Sequence, residues 1–333
     1  MMSALKELDL SGRQLSALPA TIPDLTGLQK LWLDENQLTA LPESLGNLVN
    51  LQLLHADQNQ LISLPASIGR LNQLATLSLY GNRLTALPEP VWQLTNLQTL
   101  NLAENRFNAL PDSLGNLVNL HMLDLGHNAL AMLPESLGNL RRLAFLYLSD
   151  NQLASLPDSF ANLKNLLYLN LTDNRFTALP ETVGNLTALI ELRLYHNQLS
   201  SLPESLGQLT NLKELHVRNN RLVSLPASLG KLANLRKLIL QDNELASLPD
   251  ALGNLASLTE LDLRNNKLAS LPESIGNLRN LAYLDLRANK LAALPAGLAG
   301  LTPLAKLDLR WNKLLALPDW LQRLEQRGCA VFK

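Results

Sequence analysis

Residues Leu258–Asn280 read LTELDLRNNKLASLPESIGNLRN, and the rest of the chain is built from near copies of this stretch. Leu258, Leu261, Leu263, Asn266 and Leu268 give the pattern LxxLxLxxNxL; Leu271-Pro272, Ile275, Gly276 and Leu278 complete the copy. With the first leucine as position 1, copies begin at Leu5, Leu28, Leu51, Leu74, Leu97, Leu120 and Leu143. They continue at Leu166, Leu189, Leu212, Leu235, Leu258, Leu281 and Leu304, giving 14 repeats spaced by 23 residues without an insertion or deletion. An array of this kind lengthens by stacking and needs no domain boundary. Residues 1–333 therefore read as a single domain, with repeats from 5 to about 326 and a C-terminal cap over 317–333.

Within each copy, leucines at positions 4 and 6 alternate with variable residues at 3, 5 and 7, the two-residue period of a strand with one buried face. Leucines turn inward, and the variable residues face out on a concave sheet whose parallel strands lie about 4.8 Å apart. Position 9 is Asn in 13 repeats and Arg13 in the first. A carboxamide donates and accepts at once, so a buried column of them can satisfy loop backbone. The Leu-Pro step then starts a convex helical segment, with Pro at its first position and acids such as Glu43, Asp112, Glu204 and Asp250 suited to its positive end. Gly46, Gly69, Gly115 and their equivalents are expected to supply an unusual backbone angle where that segment ends. Ala56 replaces a position-6 leucine, which should leave a void or draw a neighbour inward. In the cap, Leu317, Leu321 and Leu324 fall on one helical stripe beside Trp320, with Gly328 as a stop. Cys329-Ala330-Val331-Phe332 then adds a last strand, with Cys329 as a small buried apolar residue.

The pattern resembles the leucine-rich repeat, in which a short strand turns into a helical or extended segment on the opposite face. Its LPxxLGNLxNL form resembles the arrays of Ras-pathway scaffolds, of polarity scaffolds and of Roco proteins. The resemblance implies an α/β horseshoe solenoid that binds other proteins through its concave face and has no activity of its own. It covers residues 5 to about 326.

Composition narrows the function classes. With 28 Lys+Arg against 29 Asp+Glu there is no basic excess for nucleic acid. No apolar run approaches the roughly 18 residues of a membrane span. The start, MMSALKELDL, lacks a basic segment followed by an apolar one, so it does not read as a secretory leader. One cysteine excludes an internal disulfide framework and favours a cytoplasmic setting, although an exported effector would look the same. Only four residues precede Leu5, too few to cover the first repeat, so a monomer or a weak dimer through that end is expected. No phosphate-cradling GxGxxG or GxxxxGK[ST] motif occurs, no cofactor is implied, and no repeat is lengthened into a loop that could house catalysis.

Residues that the repeat itself does not need are the candidates for a partner surface. Outward strand positions hold Tyr80 and Tyr195 at 7, Trp32 and Tyr147 at 5, and Met122, Phe145, Tyr168 and Tyr283 at 3; Trp311 stands at 8. The densest group is Met122, Phe145, Tyr147, Tyr168 and Tyr195, with Arg193 and His216 at position 5 alongside. Such a group resembles an interface hot spot, and aromatic residues also simply suit strands. Phe107, Phe160 and Phe176 replace core leucines and are read as structural. Arg218, Arg264, Arg287 and Arg310 at position 7 could steer an acidic or phosphorylated partner. Asp262, Asp285 and Asp308 stand at position 5 beside them and could instead neutralise them locally. At position 8, Glu104, His127, Asp150, Asp173 and His196 form a column that could hold zinc, although polar residues are the rule at that position. His55, His121 and His216 have no Ser or Cys partner for nucleophilic chemistry. The expectation is a non-catalytic, metal-free, protein-binding module; the alternatives are an exported bacterial effector or recognition subunit acting on a host or competitor protein and, more weakly, a metal-dependent enzyme or metal-binding protein built on the His127 column.

Overall fold

The computed structural model describes residues 5–333; the expectation about the residues preceding Leu5 lies outside these. The chain divides into two compact units, Met1–Leu166 and Leu167–Lys333. In the first, strands β1 (Glu7–Asp9), β2 (Lys30–Trp32), β3 (Leu53–His55), β4 (Thr76–Ser78), β5 (Thr99–Asn101), β6 (Met122–Asp124) and β7 (Phe145–Tyr147) pair in chain order. In the second, β8 (Tyr168–Asn170), β9 (Glu191–Arg193), β10 (Glu214–His216), β11 (Lys237–Ile239), β12 (Glu260–Asp262), β13 (Tyr283–Asp285), β14 (Lys306–Asp308) and β15 (Ala330–Phe332) do the same. Every pair is parallel and sets equivalent positions opposite one another, as in Lys30↔Leu53 and Leu31↔Leu54. The open, all-parallel arrangement with leucines turned inward is that of a leucine-rich repeat solenoid. Leu31, Leu33, Leu54 and Leu77 are fully buried, and Ala56 is fully buried in the column of Leu33 and Leu79.

The asparagine column behaves as the sequence implies, and its geometry explains why the residue is repeated. Asn243 Nδ2 donates to the carbonyls of Val217, Leu240 and Gln241 at 2.9, 3.0 and 3.3 Å, while its Oδ1 accepts the N–H of Leu222 at 3.0 Å. One side chain thus saturates its own loop and the loop before it. At position 23 a second asparagine ladder runs along the exposed surface: Asn50, Asn96, Asn119, Asn211, Asn234 and Asn280 each donate to a backbone carbonyl of the preceding repeat. The sequence reading did not single this ladder out.

Several expectations are corrected. The convex segment is a short 3-10 turn, such as Glu43–Asn47, and its proline is the extended residue before the turn (Pro42 φ −74°, ψ 151°) and not its first helical residue. The acid that follows caps the next repeat and not its own. Glu204 accepts the N–H of Ser228 at 3.1 Å, and its contact with Ser228 holds its carboxyl below the usual range. Leu317 is 48% exposed and precedes the only α-helix among the described residues, Trp320–Gln326, which buries Trp320, Leu321 and Leu324.

The glycines of the convex turn have ordinary negative φ; positive φ is confined to Gly12, Gly81 and Gly328 among the described glycines. Their role is close approach. A Cβ on Gly46 would stand 2.5 Å from Ser67 O, and one on Gly207 would stand 2.5 Å from Ser228 O and 2.7 Å from Ser228 Cβ. Gly207→Ala should therefore cost about 1–3 kcal/mol in a urea melt, because the obstacle is backbone. Gly300→Ala meets only the end of the Arg279 side chain, at 3.2 Å, and should fall within about 0.5 kcal/mol of the parent.

The left-handed residue of each repeat is at position 8 instead. Glu35, Gln58, Glu104, His127, Asp150, Asp173, His196, Asn219, Asp242 and Asn265 all have φ between 49° and 58°. Asn, Asp and His enter this region more readily than other side chains. That backbone demand accounts for the prevalence of Asn, Asp and His in this column.

Candidate functional site

The second unit presents the most interlocked group of outward side chains. Tyr195 hydroxyl and His216 Nδ1 are hydrogen-bonded at 2.6 Å, with the rings edge to face at 5.3 Å. His216 Nε2 lies 3.0 Å from Glu214 Oε2, and Lys237 Nζ lies 3.3 Å from the other oxygen of Glu214. Arg218 stacks over the Tyr195 ring at 4.4 Å, and Arg193 over the Tyr168 ring at 5.4 Å; Arg193 Nε also donates to Glu191 at 2.5 Å. Burial pushes His216 below its ordinary pKa even with Glu214 beside it. Burial also opposes the charge on Glu214, but the His216 and Lys237 contacts prevail and hold its carboxyl low. Arg193, Tyr195, His216 and Arg218 were legible as outward residues. Glu191 and Glu214, which tie them together, were missed; the available signal was acids at position 3 flanking a position-5 Arg and His in adjacent repeats.

The arginine column separates into two kinds. Arg310 pairs with Asp308 at 2.7 Å, Arg287 with Asp285 at 2.5 Å, and Arg264 lies 3.4 Å from Asp262 while donating to Gln241. Local neutralisation therefore accounts for these three. Arg218 has no ion-paired carboxylate among the described residues, and its buried Nε has no hydrogen-bond partner. Burial of Asp308 is outweighed by the hydrogen bonds from Arg310 and by Arg287, so its carboxyl is held low. Asp262, on the wall of a hollow of about 230 Å³ with Tyr283, Asp285 and Lys306, is pushed up by burial to about 6.

A raised carboxyl pKa means that the folded state holds its proton where the unfolded state has already lost it. The Asp262 contribution to stability should thus grow as pH falls from above about 6 toward 4. Urea midpoints of the parent and Asp262→Asn compared across this window check the sign: the parent should lose ground to the variant as pH rises.

In the first unit, Met122 lies in register with Phe145, and His121 packs edge to face on Phe145 at 5.4 Å. Trp32 stands between Asp9 and His55 in register. Tyr80, Tyr147 and Tyr168 are half-buried, whereas Tyr283 and Trp311 are 52% and 70% exposed. Phe107, Phe160 and Phe176 are buried in the core as read. In the position-8 column, His127 pairs with Asp150 at 2.7 Å and His196 with Asp173 at 2.8 Å. These are exposed pairs of two groups each, and neither cluster of three potential metal ligands found among the described residues includes them.

A ladder of identical short strands, with variable side chains on one face and no helix among the described residues long and apolar enough to cross a membrane, defines a repeat protein built to present a surface. Family models described as leucine-rich repeat region and leucine rich repeat match residues 45–128, 111–224 and 192–265, and residues 3–61 and 258–314. The chain belongs to the leucine-rich repeat family. It is 34% identical to a leucine-rich repeat protein of Leptospira interrogans, covering 100% of this chain and 96% of that one with a TM-score of 0.85. An internalin of Listeria monocytogenes is 27% identical over 91% of this chain and 86% of its own, TM-score 0.79. The ectodomain of the Arabidopsis thaliana receptor kinase GASSHO1/SCHENGEN3, solved with CASPARIAN STRIP INTEGRITY FACTOR 2, is 31% identical over 98% of this chain, TM-score 0.67. This chain spans 46% of that ectodomain. No curated protein sequence matches significantly.

Proposed function

We propose that the chain is a non-catalytic protein-binding module whose partner docks on the concave strand face, with Arg193, Tyr195, His216 and Arg218 as its anchor. The supporting observation is the interlocking of these side chains. Tyr195 is held between the His216 hydrogen bond and the Arg218 guanidinium, so little side-chain freedom remains to be lost on binding. Tyr and Arg in a rigid, half-buried setting are the residue types that dominate interfaces. Membership of a family whose structures include complexes with peptide ligands supports the same reading. An acidic or phosphorylated segment of the partner would be met by Arg218, since Arg264, Arg287 and Arg310 already face carboxylates. Met122 and the aromatic residues Phe145 and Tyr147, on the strand face of the first unit, are a second, separate candidate contact.

The double variant Arg193→Ala/Tyr195→Ala should reduce partner affinity by roughly 30-fold or more, the scale of losing a hot spot, in a titration against the partner recovered from the source organism. Val223→Ser, at a residue 53% exposed and off the strand face, should leave affinity unchanged. The reverse pattern would move the footprint away from the strands. A single cysteine can form no internal disulfide, which is in keeping with a reducing, cytosolic location. A second reading is a bacterial recognition subunit exported to act on a host or competitor protein; similarity to the Leptospira and Listeria proteins fits the bacterial origin it needs.

A further inference from the structure

We propose that Asp34, His55 and Asp57, on the strand face of the first unit, form a binding site for one divalent cation of the zinc class. One ligand atom from each lies within 4.8 Å of the other two, and His55 Nδ1 stands 3.8 Å from Asp34 Oδ2. Ligand atoms around a tetrahedral zinc are about 3.3 Å apart, given bonds of about 2.0–2.1 Å. The trio thus needs only a small closing movement of side chains. The His55 and Asp34 side chains are 27% and 23% exposed, which leaves a path for the ion and a position for water.

Both carboxylates are already oriented by hydrogen bonds, Asp34 by the backbone of Asp57 and Asp57 by groups outside the trio. Asp34 Oδ1 accepts the N–H of Asp57 at 2.8 Å. Asp57 Oδ1 accepts the Ser78 hydroxyl at 2.6 Å and the N–H of Tyr80 at 2.8 Å. Bonds of this kind fix ligand orientation in metal sites.

Charge separates this trio from its counterpart in the second unit. Ligand atoms of Glu191, Glu214 and His216 also lie within 4.8 Å of one another, but Arg193 and Lys237 sit on the two carboxylates at 2.5 and 3.3 Å. Among the described residues, no Lys or Arg is ion-paired with Asp34 or Asp57. Two adjacent carboxylates facing an imidazole therefore lack a cation of their own. One nitrogen and two oxygen donors with an open fourth position suit zinc-class ions, whereas calcium and magnesium take six or more oxygens, several of them from water in the case of magnesium.

The test is titration of the full chain with Co²⁺, followed optically, and with Zn²⁺ in competition by calorimetry. One Co²⁺ per chain should bind with the visible bands of a four-coordinate ion and be displaced by Zn²⁺. His55→Gln and Asp57→Asn should each weaken binding by about 10–100-fold, with far-ultraviolet circular dichroism unchanged. His216→Gln should bind as the parent does. Failure of the parent to bind, binding that survives His55→Gln, or loss in His216→Gln would each overturn the assignment. The site does not depend on the partner-binding reading, and the titration needs no partner.

Discussion

Asn243→Ala should destabilise the protein by about 2–4 kcal/mol in urea unfolding, because it removes four hydrogen bonds at once and leaves the buried N–H of Leu222 without a partner. The buried N–H of Leu222 depends on this side chain alone, whereas the carbonyls of Val217 and Leu240 keep Asn220 and Asn266 as second donors. Asn234→Ala, in the exposed ladder, loses one bond to Thr210 O at 2.8 Å. Water replaces that bond, so the cost should be only about 0.5–1 kcal/mol. Equal costs for the two variants would show that the buried column is not what locks one repeat onto the next.

Phe176→Ala should cost about 3–5 kcal/mol, the range for emptying a fully buried aromatic site. Phe176 has no exposed surface, and its own N–H donates to Asn197 Oδ1 at 3.1 Å, so collapse of the neighbours into the cavity would disturb the asparagine column. Because a repeat touches only its immediate neighbours, amide exchange should accelerate in the repeats adjoining Phe176 and remain unchanged near Trp92. A uniform rise in exchange along the chain would contradict this local picture.

How far these features could be read in advance follows from what each depends on. The buried leucines and Asn243 were legible because a fixed spacing and a single residue type announce a repeated backbone requirement. Gly207 was legible as necessary, but the reason was misassigned. A glycine kept free of Cβ by the carbonyl of Ser228 looks in sequence like a glycine kept for its backbone angle. The left-handed position was visible only as a polar column that could be read as a metal site; Ala288, with φ 52° like Asp150, shows that the shared demand is on the backbone. Tyr195 and Arg218 were visible as outward residues, whereas their coupling through His216 and Glu214 required distances across strands 23 residues apart. Proline misled in the opposite way. Its preference for a first helical position is a general tendency, and here the chain spends it on the extended residue that leads into a 3-10 turn.

The central claim is that the variable strand face, and no other part of the surface, meets a partner protein. Placing a photo-crosslinking amino acid at Tyr195, and separately at Val223, tests it most directly in the presence of the partner. Crosslinks from position 195 with none from position 223 are the result this account requires; efficient crosslinking from 223 with silence at 195 would contradict it.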